Sequence, residues 1–96
     1  MPEEVLFQSE RSQSRSEIAS YLRQVADNLD AGDDITLTAG EQSVTMTPPA
    51  HPTFEVKAER EDPTDSLGEL SIEFEIEWAE DGEDVNAESG GELEIE

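Results

Sequence analysis

The chain has no cysteine, so disulfides, thiolate metal sites and cysteine nucleophiles are all excluded. It has one histidine, His51, set among Pro48, Pro49 and Pro52, with no nucleophile motif nearby. A general base needs an oriented partner and a pocket, and the pattern offers neither, so His51 reads as a solvated loop residue. Aromatics are scarce: three Phe, one Trp and one Tyr in 96 residues. No apolar run approaches the roughly 20 residues of a membrane-spanning helix, and no signal peptide opens the chain, so a soluble intracellular protein is expected. Bases are the scarcest group relative to need. Four Arg and a single Lys, Lys57, stand against 26 acids, for a formal net charge of -21.

What is present is acid, spread through the body of the chain rather than collected in one tail. Self-repulsion on this scale opposes compaction in dilute buffer. At about 1 M salt the Debye length falls to about 3 Å and most of that repulsion is screened. The composition therefore points to a cytoplasmic protein adapted to molar salt. Low hydrophobicity with high charge is also the signature of disorder, but here the apolar residues are periodic and the acids fill the complementary phase.

Residues 4–10 alternate, with Val5 and Phe7 on one face, and predict a first strand. Ser14 and Glu17 form a capping box, and Ile18, Tyr21, Leu22, Val25 and Leu29 then make one apolar stripe. With Gly32 as the terminating residue, a helix over 15–31 follows. Ile35 to Thr38 and Gln42 to Thr47 alternate around Ala39-Gly40-Glu41, which predicts a hairpin. Phe54, Val56 and Ala58 predict a fourth strand, and residues 61–68 carry turn chemistry. In the fifth, Leu70, Ile72, Phe74, Ile76 and Trp78 alternate with Ser71, Glu73, Glu75 and Glu77, so one face is apolar and the other wet.

The expected fold is α+β in the order βαββββ: one amphipathic helix packed on one face of a mostly antiparallel sheet of about five strands. Phe74 and Leu22 are expected to meet in its core. The single domain is expected over residues 1–78. Residues 79–96, with eight acids and no base, are expected to form a disordered acidic tail.

The segments EVLF at residues 4–7, SRSEIASYLRQVADNL at 14–29, PTFEVKAERE at 52–61 and LSIEFEIEW at 70–78 together resemble the Amphi-Trp domain, in content and in order. The resemblance covers roughly residues 3–78, and the acidic extension after Trp78 departs from it. It implies membership of a family common in haloarchaea and of uncharacterised function, so it transfers no catalytic or ligand-binding residue.

The residues themselves supply few candidates for chemistry. Glu73, Glu75 and Glu77 share one strand face about 7 Å apart and could in principle pair as acid and base or hold a metal. A catalytic pair needs one carboxyl in an apolar site, however, and a solvated acidic face explains all three. Residues 81–88 (DGEDVNAE) look superficially like a calcium loop but lack Gly at the sixth position and flanking helices. Arg15 and Arg23 on the helix cannot carry nucleic-acid binding within a net charge of -21. Trp78 ends the apolar face and could anchor a partner.

The reading is therefore of a non-enzymatic protein-interaction module without cofactor or metal, using an exposed sheet face or edge strand. Trp78, Glu73, Glu75 and Glu77 form its candidate surface. Its partner would be another protein, or a second copy through an edge strand, with neither nucleic acid nor membrane. Two alternatives stand behind it: an acidic nucleic-acid mimic that decoys basic proteins, and a carboxylate-based hydrolase.

Overall fold

The computed structural model describes residues 3–62, 67–81 and 90–96. Among them the element order is α1 (Arg15–Ala31), β1 (Ile35–Ala39), β2 (Gln42–Met46), β3 (Thr53–Glu61) and β4 (Glu69–Glu77). The architecture is α+β, with one helix and four antiparallel strands in two separate two-stranded sheets. The chain divides into two units, residues 1–50 and 51–96.

In the first unit, α1 begins where the capping box places it. The Ser14 hydroxyl accepts from the Glu17 N–H at 3.1 Å. The Glu17 carboxylate, expected to reach back to the cap, accepts from the Ser14 hydroxyl at 3.3 Å. The helix ends at Gly32, whose φ of +71° is the left-handed conformation that glycine adopts without a Cβ clash. Beyond it the Asp33 N–H donates to the Asn28 carbonyl at 3.0 Å, capping the last turn. Helix α1 abuts β1.

Strands β1 and β2 join through Gly40-Glu41. Gly40 has φ +58° and no non-glycine among the described residues has positive φ, which matches a two-residue turn with glycine first. The register pairs Leu37 with Val44 on one face and Thr36 with Thr45 on the other. That second face is a hydroxyl ladder: Thr36 and Thr45 share a 2.9 Å hydrogen bond, and Thr38 and Ser43 a 3.4 Å one.

The expected first strand is not formed. Residues 4–10 have no ladder partner among the described residues, which reduces the count from five strands to four. The alternation of Val5 and Phe7 marks an extended segment, but a strand also needs a neighbour for its backbone groups. Here a side chain serves instead. Gln42 accepts from the Gln8 N–H through Oε1 at 3.1 Å and donates to the Gln8 carbonyl through Nε2 at 3.0 Å.

In the second unit, β3 and β4 pair over nine residues, from Thr53 opposite Glu77 to Glu61 opposite Glu69. The predicted alternation of β4 is realised, and β3 matches it in phase. The expected closed core is not: no described residue is buried. Leu22 is 51% exposed and Phe74 50% exposed, so neither is the core residue expected from its phase. Amphipathic phase shows which side of an element is apolar, not what covers it.

Of the expected tail, residues 82–89 lie outside the described residues, and with them most of the calcium-like segment. No helix among the described residues is long and apolar enough to cross a membrane.

Candidate functional site

The β3–β4 hairpin concentrates the chain's chemistry onto two opposite faces. Because side chains alternate in a strand, the register puts Phe54, Val56, Ala58 and Arg60 of β3 on one face. They stand opposite Ile76, Phe74, Ile72 and Leu70 of β4, respectively. The other face carries Glu55, Lys57, Glu59 and Glu61 opposite Glu75, Glu73, Ser71 and Glu69, with Glu77 at one end. One face is apolar save for Arg60. The other is a field of glutamates around a single lysine.

On the apolar face the Phe54 and Phe74 rings stack with centroids 6.3 Å apart and planes 9° from parallel. These aromatics belong to diagonal positions of neighbouring pairs, within cross-strand reach. Val56 and Ile76 are half-buried; Phe54, Leu70, Ile72 and Phe74 are exposed. Trp78 follows β4 on the same even phase and is half-buried.

On the acidic face, Lys57 Nζ lies 3.4 Å from Glu73 and 3.9 Å from Glu59. The lysine pKa is raised, first by its hydrogen bond with Glu73 and then by the charges of Glu73 and Glu59. Two like-charge pairs stand directly opposed, Glu55 with Glu75 and Glu61 with Glu69. Carboxylate oxygens of Glu55, Glu75 and Glu77 all lie within 4.8 Å of one another. Glu75 is held above the usual carboxylate range, chiefly by its hydrogen bond with Glu77 and by that neighbour's charge. Three exposed carboxylates at this spacing could share a proton or meet one hard cation. One oxygen from each makes three, half or less of the six to eight that calcium takes.

Of the surface residues expected from the sequence, Glu75 and Glu77 are brought together and Glu73 is drawn away to Lys57. Trp78 lies on the phase of the opposite face. Sequence reasoning missed Glu55, which completes the triad, and Phe54, which completes the aromatic pair. Both sit on β3 and become visible only once its register against β4 is known. Aligning the apolar phases of residues 54–58 and 72–76 narrows that register but, at a period of two, leaves even shifts open.

The Amphi-Trp domain model matches residues 1–96. The chain belongs to the Amphi-Trp domain family. The match runs through the acidic segment after Trp78, which the sequence resemblance had placed outside the family core. No curated protein and no solved structure matches the chain.

Proposed function

We propose that this Amphi-Trp domain is a small protein-interaction module that docks its partner on the apolar face of β3–β4, in a cytoplasm of high salt. The observation that carries the reading is the uncovered row of Phe54, Ile72 and Phe74 on a hairpin whose opposite face is saturated with glutamate. Exposed apolar patches of this kind are uncommon on monomers and mark interaction surfaces. The acidic face keeps the module soluble and restricts contact to one side. Each strand also has an edge unpaired among the described residues, where a partner strand can add by β-augmentation.

The experiment is capture by the tagged full chain from a halophile lysate in molar KCl, beside Ile72→Glu and Glu73→Gln. A partner retained by Glu73→Gln and lost by Ile72→Glu is the expected result. Partners indifferent to Ile72→Glu would contradict docking on this face.

A second reading rests on Glu55, Glu75 and Glu77, whose oxygens cluster within 4.8 Å. Such an array resembles a row of phosphates and could decoy basic proteins. Binding of that kind weakens steeply as salt is added, whereas apolar docking does not, so titration with a basic protein at low and molar KCl separates the two.

A further inference from the structure

We infer that the occupant of the β3–β4 apolar face is a second copy of the same chain, stacked with its strands reversed so that Arg60 of each copy lies over the aromatic end, Phe54 and Trp78, of the other. This rests on the docking reading above and names its partner.

Area is the first argument. Phe54, Leu70, Ile72 and Phe74 are 49%, 76%, 68% and 50% exposed. At about 200 Å² for each large apolar side chain, these four alone offer on the order of 500 Å² per copy. Two copies would thus cover about 1,000 Å², the lower bound for a specific interface. The half-buried Val56 and Ile76 add to it.

Charge is the second. A partner facing this chain must approach a molecule of formal charge -21, and another copy carries the same burden. Face-to-face stacking is the arrangement that tolerates it, because the β3–β4 glutamates point away from the contact on both copies. Side-by-side pairing of β4 with β4 would instead set Glu73, Glu75 and Glu77 of the two copies along one surface.

Arg60 decides the direction. It is the one charged residue of the apolar face within β3 and β4, it is exposed, and none of the described ion pairs uses it. A two-fold axis along the strands would set Arg60 against Arg60. An axis across the strands reverses one ribbon, separates the two guanidiniums and brings each to the opposite end. There Phe54 supplies a ring face, and Trp78 continues the even phase one step beyond β4. A guanidinium over an aromatic face is attractive, and aligned stacking of two sheets about 10 Å apart accommodates the ribbons. The contact is isologous, as a closed dimer requires.

Sedimentation equilibrium of the full chain over a concentration series in molar KCl should give a dimer whose affinity rises with salt. Monomer mass at every concentration would overturn the inference. Phe74→Glu and, separately, Ile72→Glu should raise the dissociation constant at least about tenfold. Far-UV circular dichroism should stay unchanged, since both side chains are exposed already. A dimer indifferent to both places the interface elsewhere and ends the proposal.

Because the chain has no cysteine, Glu61→Cys takes a unique nitroxide on the outer face, and pulsed dipolar spectroscopy then reads direction. Reversed ribbons centred between Val56 and Ala58 offset the two labels by about 26 Å along the strands, on top of their separation across the stack. Labels level with each other would show same-end stacking and refute the Arg60 arrangement. A monomeric wild type that still captures a protein lost by Ile72→Glu would remove the second copy as occupant while leaving the docking reading intact. Loss of both would remove both.

Discussion

Lys57 stands directly across the β3–β4 ladder from Glu73, with 3.4 Å between ammonium and carboxylate. It is the only base on a face with seven glutamates, and both members of the pair are largely in water. Exposed pairs contribute little in general and are screened by salt. Here the alternative to the pair is a face with no counter-charge, so its effect should depend on ionic strength. Lys57→Gln is expected to destabilise the second unit at low salt and to approach wild type in molar KCl, as read by thermal unfolding. The raised lysine pKa means its contribution is present at neutral pH and is lost as pH rises through that raised value.

Glu75 titrates in the same sense for stability, but in the carboxylate range rather than the lysine range. Its pKa is raised in the folded chain by Glu77 first, with Glu73 adding and Lys57 opposing. The folded state therefore holds this proton at a pH where the unfolded chain has released it. Stability from this group is fully present below the unfolded value and is lost as pH rises through the folded one. At low salt the second unit should thus tighten as pH falls from neutral into the carboxylate range. Glu75→Gln should raise stability at neutral pH and flatten that dependence. Side-chain carboxyl NMR titration checks the group itself: Glu75 should protonate at higher pH than an ordinary glutamate.

The aromatic pair gives a bounded cost. Phe74 is half exposed and stacked on Phe54, so Phe74→Ala removes that stacking and part of a transfer contribution. The expected loss is about 1–2 kcal/mol, against the roughly 3–5 kcal/mol of a fully buried phenylalanine. Leu22→Ala, on an exposed stripe, should cost less still. Urea denaturation giving a loss above that range for either would mean the side chain is covered.

The helix ends respond to local changes. Ser14→Ala removes the acceptor of the Glu17 N–H and should cost about 1 kcal/mol. Gly32→Ala places a Cβ at φ +71° and should cost roughly 1–2 kcal/mol. Helical circular dichroism and thermal midpoints report both.

These ends were readable in the sequence because cap chemistry is local: Ser14, Glu17 and Gly32 act on backbone groups within one turn. The faces of β4 were readable for the same reason, since period two needs no partner to define it. Partnership was not readable. Val5 and Phe7 alternate like a strand, yet the backbone of Gln8 bonds to the Gln42 side chain rather than to a ladder. Likewise Glu75 and Glu77 share a face by arithmetic, whereas Glu55 joins them only through cross-strand register. Phe74 and Leu22 had the phase of core residues, yet each is about half exposed.

The proposed docking requires a β3–β4 apolar face that is open in the free chain and covered on association. Hydroxyl-radical footprinting in molar KCl, read residue by residue by mass spectrometry, tests it most directly. In dilute protein Phe54, Ile72 and Phe74 should be oxidised readily, and on concentrating the sample they should become protected while Leu67 does not. Strong protection of Phe74 and Ile72 already at high dilution would contradict the account.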